Sequence, residues 1–355
     1  MNRPTRFCYH LEIQRVADGA RFPGEPVPDG FLQEAHDQVI FLSQRRAITG
    51  PDAEEAVVHE QPIFAAADDS LIGGVRITVG REGRQVAKEF DISLFAPLAE
   101  VQARGLVAQG HLEKGHKFMY RVFAQRADLR TPLASLGGVV ATVRRRPLPV
   151  AVGQLQSWLS SAEPVGPVDE QDFPLLISQQ ALDLSREYCR KPGDKEGGAL
   201  LLGRLFQQLE PEPEVFGIIE GAIEARHAEQ ARFSLDLTAQ SFADLHAQLQ
   251  RRRTRLGLVN EVALGFAHAH NFLPSVLDDG EAQCPTCPLR PTCPLSSSFY
   301  SVKDEQFHRS LFSRQPYAVG LVWGLTPREE DDLRVFCLDG SQTRRRGYYR
   351  IFKHT

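Results

Sequence analysis

Two apolar segments in the second half of the chain decide its fold: EGGALLLGRLF (Glu196–Phe206) and VALGFAHAH (Val262–His270). Each has the length of a strand and is apolar at most positions, which is typical of a strand covered on both faces. Each also carries ionisable residues at one end, since Glu196 opens the first segment and two histidines close the second. The segments therefore predict buried strands, and Glu196 lies either at a water-exposed rim or at a site that uses its carboxylate.

The sequence around these segments mixes helices and strands without the regular alternation of a doubly wound sheet. Thr238 can cap a helix that runs through Arg253. Its apolar residues Phe242, Leu245 and Leu249 recur at the spacing of one helix face. We therefore predict an α+β domain. The other predicted elements here are a helix over Ile177–Cys189, strands over Glu214–Glu224, Arg232–Leu237 and Tyr317–Trp323, and a helix near Asp304–Ser313.

The first part of the chain, residues 1–145, is rich in strand signals and carries no recognisable chemical motif. Gly74–Phe95 is predicted to form a hairpin, because apolar residues alternate on both sides of the Gly80–Gly83 turn. This part is therefore predicted to be a β-rich N-terminal domain. The remaining predicted elements are a helix over Ala96–Gln109 and strands over Lys117–Phe123 and Gly138–Arg144.

The length of the chain suits two domains. Its 355 residues give roughly two domains at about 150 residues each. Prolines, small residues and acids concentrate in residues 146–172, which is typical of a linker. The predicted organisation is an N-terminal domain over 1–145, a linker over 146–172 and a C-terminal domain over 173–355.

Composition and charge narrow the class of protein. Hydrophobic residues make up 42% and charged residues 24% of the chain, which excludes disorder over its whole length. The formal net charge of −4 is too balanced to indicate a nucleic-acid partner, and none is expected. The N-terminus has no apolar signal segment, and the longest apolar runs fall well short of the roughly 20 residues of a membrane span. A cytoplasmic protein without a membrane partner is therefore expected.

Four polar residues in the second half could form a metal site. His268 and His270 lie two positions apart at the end of a predicted strand, so both imidazoles share one face, as zinc ligands do. A bare H-x-H pair can also flank a loop without any function. Ser301 and Asp304 are spaced S-x-x-D before an apolar helical pattern, which puts hydroxyl and carboxylate on one helix face near its N-terminus. The same spacing is that of an ordinary helix cap.

The order of these motifs resembles the JAMM (MPN+/JAB) zinc metalloprotease family, in its bacterial deubiquitinase-like branch. The likeness rests on E-x-x-x-L-L-L-G from Glu196, on LGFAHAH (Leu264–His270), and on SVKD (Ser301–Asp304) followed by QPYAVGLVWG (Gln315–Gly324). It covers the chain from about Phe173 to the C-terminus and leaves residues 1–145 unexplained. The resemblance implies a JAB/MPN-like domain, which is a curved mixed β-sheet flanked by helices.

The resemblance also implies a role for each polar residue. His268, His270 and Asp304 would be ligands of a catalytic Zn²⁺, and a water would take the fourth position. Glu196 would take a proton from that water and deliver it to the leaving amine. Ser301 would donate a hydrogen bond to the oxyanion of the tetrahedral intermediate.

The implied reaction is hydrolysis of the peptide or isopeptide bond that follows the C-terminal tail of a ubiquitin-like protein. The implied partners are that protein and its conjugates, together with E1-like and E2-like proteins of a bacterial, antiphage conjugation pathway. The N-terminal domain would recognise the ubiquitin-like protein. Two other functions stay open: a non-catalytic MPN-like scaffold and an iron–sulfur protein that processes DNA.

Three features depart from the pattern of the family. Asn271 follows the second histidine where the family usually has proline, and Ala199 stands where the family favours glycine. The third is an insertion over residues 271–300 between the histidines and the S-x-x-D motif. Because Ser296, Ser297 and Ser298 lie close to Ser301, the insertion leaves the register of that motif open. No aspartate lies three residues after any of these three, so Ser301 with Asp304 is the best choice.

The insertion carries the second predicted metal site. Its segment QCPTCPLRPTCPL spaces three cysteines as C-x2-C-x5-C. One interpretation is a structural Zn²⁺, and another is an iron–sulfur cluster, since the spacing is similar to the cluster motif of RecB-like nucleases. The three cysteines are Cys284, Cys287 and Cys293, and the candidates for a fourth ligand are Cys189, Cys337 and His308.

Overall fold

The computed structural model divides the chain into two compact units, one with the elements before residue 127 and one with those from residue 148 onward. Each unit has its own sheet. The prediction of an α+β fold is confirmed, because strands and helices occur without regular alternation. The described residues are 7–28, 30–50, 58–65, 68–81, 83–126, 148–170, 172–274, 284–340 and 342–352.

The first unit is built on a sheet of six described strands. Its elements are β1 (Phe7–Arg15), β2 (Arg21–Pro26), α1 (Gln33–Arg45), β3 (Val58–Ala65), β4 (Asp68–Arg81), β5 (Arg84–Asp91), α2 (Ala96–Ala108) and β6 (Phe118–Arg126). The strand order is β2-β1-β6-β4-β3, and β5 pairs with β4. The predicted hairpin, the helix after it and the strand near residue 118 are all confirmed. The predicted strand Gly138–Arg144 lies outside the described residues.

The second unit contains the residues that carry chemistry. Its elements are β7 (Val150–Val152), α3 (Leu155–Leu159), β8 (Ala162–Val165), β9 (Leu175–Ser178), α4 (Gln179–Arg190), β10 (Gly198–Gln208), β11 (Glu214–Glu224), β12 (Glu229–Ala231), β13 (Ser234–Asp236), α5 (Ala239–Arg255), β14 (Val262–Ala269), α6 (Val302–Phe312), β15 (Val319–Leu325), β16 (Asp331–Asp339), β17 (Gln342–Arg346) and β18 (Tyr348–Ile351).

The two segments that predicted buried strands lie side by side at the centre of this unit. The ten described strands of its sheet run in the order β17-β16-β15-β14-β10-β11-β9-β18-β8, and β7 also pairs with β10. Strand β10 is antiparallel to β14, with Gly198 opposite His268. Strand β15 runs parallel to β14 on its other side, with Val322 opposite His268. Buried apolar residues along β10 and β14 form part of the core.

Helix α5 begins as predicted but packs differently. Thr238 caps it, and the Thr238 and Ser241 side chains each accept a hydrogen bond from the other residue's backbone N–H. Leu245 is buried, whereas Phe242 is exposed, so the predicted apolar face was wrong at that residue. The physical reason is that only one side of the helix packs against the sheet, and Phe242 lies outside that contact.

The segment predicted as a linker contributes to the second sheet from Leu148 onward. Strand β7 pairs with β10, and β8 pairs with β18 near the C-terminus. Leu155 of α3 is buried in an apolar cluster with Phe206 and Phe216. Such short strands lack a recognisable pattern of their own because their partners lie far away in sequence.

None of the helices in the described residues combines enough length with enough apolar character to cross a bilayer.

Candidate metal centre

Strand β14 presents the two predicted histidines from its C-terminal end. His268 is the penultimate residue of β14, and His270 is the first residue after the strand. The His270 backbone N–H donates to the Trp323 carbonyl at 2.9 Å. Both side chains are buried, at 5% and 3% exposure. Because residues two apart on a strand share a face, the two imidazoles point to the same place. Their Nε2 atoms lie 3.2 Å apart.

Helix α6 places the carboxylate of Asp304, a residue of its first turn, beside the two imidazoles. Ser301 is the N-cap, and its hydroxyl oxygen accepts from the Asp304 backbone N–H at 3.2 Å. In return, Oδ2 of Asp304 accepts from the Ser301 backbone N–H at 2.7 Å. This reciprocal pair is a capping box, which holds the Asp304 side chain in one orientation. The insertion therefore leaves the predicted Ser301–Asp304 register unchanged.

The three side chains form a compact group that could bind a metal ion. The ligand atoms of His268, His270 and Asp304 all lie within 4.8 Å of one another. Nε2 of His268 is 3.1 Å from Oδ1 of Asp304, and Nε2 of His270 is 3.6 Å from Oδ2. Two ligands about 2.05 Å from a tetrahedral zinc ion are separated by about 3.3 Å. The observed separations fit that spacing.

The tautomer of His270 also suits a metal ligand. Its Nδ1 is 2.7 Å from the Ser297 carbonyl oxygen, which can only accept a hydrogen bond. Nδ1 therefore carries a proton, which leaves Nε2, the nitrogen that faces His268 and Asp304, as the atom available to a metal ion. Metal-binding histidines are commonly oriented in this way by a carbonyl. A cation at the centre would satisfy the lone pairs that converge there.

Ser297 orients His270 because the loop around it is tied to the end of β15. Its backbone N–H donates to the Leu325 carbonyl at 3.0 Å, and its hydroxyl oxygen accepts from the Leu325 N–H at 2.8 Å. Gly324 permits this approach, since a Cβ there would lie 2.1 Å from the Ser298 nitrogen. Sequence reasoning missed this role, and only the contact between distant segments reveals it.

Glu196 reaches the same site from a position two residues before β10. Its Oε1 lies 3.8 Å from Nε2 of His270, and its side chain is buried. The next residue must be glycine, because a Cβ on Gly197 would lie 2.6 Å from the Cys189 carbonyl oxygen. Burial raises the pKa of Glu196 to about 7, although the nearby His270 opposes that rise. A cation bound beside it would lower this pKa.

Asp304 is ionised under all ordinary conditions. Burial by itself raises its pKa, but the neighbouring His268 and His270 outweigh burial and hold the pKa far below its usual range. The site therefore presents a permanent carboxylate beside two imidazoles. This combination of donors is one that Zn²⁺ accepts in catalytic sites.

The cluster lies in the wall of an open cavity of about 810 Å³. Strand β13 and helix α6 both contribute to the lining, and Ser301 and Glu196 face the same space as the histidines. Aromatic side chains surround the metal end of the cavity. These aromatic residues are Phe233, Phe272 and Phe299.

The structure does not assemble the second predicted metal site. Among the described residues, only His268, His270 and Asp304 form a group of three such side chains with ligand atoms within 4.8 Å. The cysteines of the insertion are free, with one buried and two half-buried. The residues that are not brought together as ligands are Cys284, Cys287, Cys293 and the candidate fourth ligands Cys189, Cys337 and His308.

Arginine contacts hold the cysteine segment instead. Arg290 donates to the Pro327 carbonyl at 2.7 Å, and Arg328 donates to the Pro291 carbonyl at 3.0 Å. His308 is buried on α6, where its Nδ1 lies 2.8 Å from the Tyr300 hydroxyl. The two arginine hydrogen bonds tie the segment to the turn between β15 and β16, because one is accepted by the backbone of the turn and the other by the backbone of the segment. Residues 275–283 of the insertion lie outside the described residues.

An α+β fold and a group of two buried histidines and a partly buried aspartate define this chain as an α+β protein with a candidate metal-binding site. No protein-family model matches the chain, and no protein of curated function matches it. Among solved structures, it is similar to the solution structure of protein DSY2949 from Desulfitobacterium hafniense. That likeness has 14% sequence identity and a TM-score of 0.32, and it covers 51% of this chain and 94% of that chain.

Proposed function

We propose that the chain is a zinc-dependent isopeptidase or protease of the JAMM type, with a JAB/MPN-like C-terminal domain. The observation that carries the proposal is the convergence of His268, His270 and Asp304, with Glu196 3.8 Å from His270. A group of three metal ligands by itself is compatible with many functions. A buried carboxylate beside them, in an open cavity, favours hydrolysis over a non-catalytic scaffold.

The residues fit zinc as the resident metal. Two imidazole nitrogens and one carboxylate are a common protein ligand set for catalytic zinc. Zinc, when bound, supplies Lewis acidity that acidifies a water and polarises a carbonyl. Two histidines and one carboxylate also bind iron(II) in other proteins, so metal analysis of the purified protein identifies the ion.

Glu196 and Ser301 have distinct tasks in the proposed reaction. The Glu196 carboxylate accepts a proton from the attacking water and later delivers it to the leaving amine. The oxygen of Ser301 is occupied as an acceptor by the Asp304 N–H, which leaves its hydroxyl hydrogen free to donate to the developing oxyanion. Both side chains face the cavity that would receive the substrate.

The proposed substrate is the C-terminal tail of a ubiquitin-like protein, joined to a lysine or to a following peptide. An extended tail could run along the cavity between β13 and α6, where β13 has no strand other than β12 paired to it among the described residues. The proposed partners are the ubiquitin-like protein, its conjugates, and E1-like and E2-like proteins of the same bacterial pathway. The N-terminal unit would contribute to recognition.

The proposal is tested with the full chain and a ubiquitin-like fusion from a bacterial conjugation pathway. We expect the purified protein to contain stoichiometric zinc and to cleave the fusion after its tail. A chelator should abolish cleavage, and added zinc should restore it. A protein that contains zinc but leaves a panel of such fusions intact would contradict the proposed substrate class.

Replacing Ser301 with Ala should affect catalysis and stability separately. Loss of an oxyanion donor is expected to lower kcat about 100- to 1,000-fold, and loss of the N-cap should cost about 1 kcal/mol of unfolding free energy. Steady-state kinetics and thermal unfolding measure the two effects. Thr238→Ala is the matched control, because Thr238 forms the same capping box on α5. It should lose a similar amount of stability and keep kcat.

The aromatic end of the cavity favours a substrate with an apolar side chain near the cleaved bond. Phe299 and Phe272 contact the His270 ring, with centroid distances of 4.7 and 5.2 Å. Phe233 meets Phe272 edge to face at 5.0 Å. Phe233 and Phe299 remain 50% and 45% exposed. Exposed aromatic rings that converge from three segments are typical of a surface that binds apolar groups.

Replacing Phe233 and Phe299 together with Ala should therefore weaken substrate binding more than chemistry. Loss of about 1.4 kcal/mol of apolar contact corresponds to about a tenfold rise in KM, with kcat changed little. Phe242→Ala is the control, since Phe242 is also 45% exposed but lies on α5 and does not line the cavity. A double variant with the wild-type KM would exclude an apolar contact at this wall.

A further inference from the structure

Asn271 occupies a junction between the two halves of the candidate site. It directly follows the ligand His270, and its side-chain Nδ2 donates to the Lys195 carbonyl at 2.5 Å. Lys195 directly precedes Glu196. One amide side chain therefore links the backbone beside a metal ligand to the backbone beside the proposed general base.

Arg190 holds the other end of the same amide. Its Nη1 donates to Oδ1 of Asn271, and its Nη2 donates to the Gly324 carbonyl at 2.8 Å. The guanidinium also pairs with Asp331, with Nη2 2.8 Å from Oδ1. Gly324 belongs to β15 and Asp331 opens β16. The arginine thereby anchors Asn271 to two strands and to the end of α4.

The contacts define the orientation of the Asn271 amide without ambiguity. Arg190 has only donors and the Lys195 carbonyl only accepts, so Oδ1 must face the arginine and Nδ2 the carbonyl. A residue at this position must therefore accept and donate at once. Alanine does neither, and aspartate can accept from Arg190 but cannot donate to Lys195 when ionised. Proline, the usual residue of the resembled family here, offers no side-chain hydrogen bond.

We propose that Asn271 is a positioning residue that sets the distance between Glu196 and His270, with Arg190 as its anchor. The inference rests on the proposed metal site and deepens it. Arg190 and Glu196 lie close together in sequence, whereas His270 comes far later in the chain, so the Asn271 amide joins two distant segments. A displacement near 1 Å at a catalytic group costs on the order of 100-fold in rate.

The test compares Asn271→Ala, Asn271→Asp and the wild type for zinc affinity and for kinetics. Zinc affinity is measured by competition with a chromophoric chelator. Asn271→Ala should weaken zinc binding about tenfold, within the range of 10- to 100-fold typical of residues that support metal ligands. Asn271→Asp keeps the contact to Arg190 but loses the one to Lys195. It should bind zinc within about threefold of the wild type while kcat falls about tenfold or more at unchanged KM.

One control variant and one variant of the anchor separate a positioning role from a loss of stability. Asn260→Ala changes an exposed asparagine outside the site and should leave zinc affinity and kcat unchanged. Arg190→Lys retains a charge but not the forked contacts, so it should behave like Asn271→Ala. All measurements are made well below the melting temperature of each variant.

The outcomes distinguish this inference from the proposed function. A wild type without zinc, or with zinc and no cleavage of the fusion, counts against the function. A wild type that binds zinc and cleaves, with Asn271→Ala equal to it in zinc affinity and kcat, overturns the positioning role. Equal losses of zinc affinity and kcat in Asn271→Ala and Asn271→Asp would also overturn it, because the two contacts would then not act separately.

Discussion

Replacing Glu196 with Gln is expected to lower kcat about 100- to 10,000-fold while zinc content stays stoichiometric. The amide has the shape of the carboxylate but cannot take a proton from water, and general base catalysis contributes about that factor. Glu196 is not one of the three side chains that form the metal group. The variant should therefore separate chemistry from metal binding, which kinetics together with metal analysis will measure.

The control for this variant is a second buried glutamate of the same unit. Glu261 is buried and forms an ion pair with Arg252 at 2.7 Å. Neither residue belongs to the metal group. Glu261→Gln should lower the melting temperature and leave kcat per folded molecule unchanged. Full cleavage by Glu196→Gln would show that Glu196 is not the general base.

Replacing His268 with Ala is expected to remove both the metal and the activity. The change leaves one imidazole and one carboxylate, which are too few protein ligands to hold a catalytic zinc ion tightly. Zinc should fall to background in the purified variant, and added zinc should not restore cleavage. Chelated wild type, by contrast, should regain activity on addition of zinc.

An exposed histidine provides the control for the metal ligand. His246 lies on the surface of α5, and His246→Ala should retain both zinc and cleavage. If His268→Ala loses zinc but still cleaves the fusion, the metal is not catalytic. If it keeps stoichiometric zinc, the metal is bound elsewhere.

The elements at the centre of the second sheet were predictable because their patterns are local. The apolar runs of β10 and β14 identify buried strands by composition and length alone. Thr238 and Ser301 are residue types that favour the N-cap position, so the sequence indicates where helices α5 and α6 begin. Strands β7 and β8 were not predictable, since three or four residues become a strand only when a distant partner pairs with them.

The candidate site was predictable to the extent that its residues share an element. His268 and His270 lie on one strand face, and Ser301 and Asp304 lie in one capping box, so spacing alone relates the members of each pair. That the two pairs meet, despite the insertion between them, depends on the packing of α6 beside β14. The cysteine segment shows the reverse case, because regular spacing did not bring its thiols together.

The central strands, the helix caps and the residue types able to ligate a metal follow from local patterns in the sequence. Which of these residues converge, and what orients them, depends on how the chain folds. The Ser297 carbonyl on His270 and the Lys195 carbonyl on Asn271 are contacts of side chains with backbone groups from distant segments. Every residue has a backbone carbonyl, so the residue type does not predict such a contact, and only the folded chain specifies it.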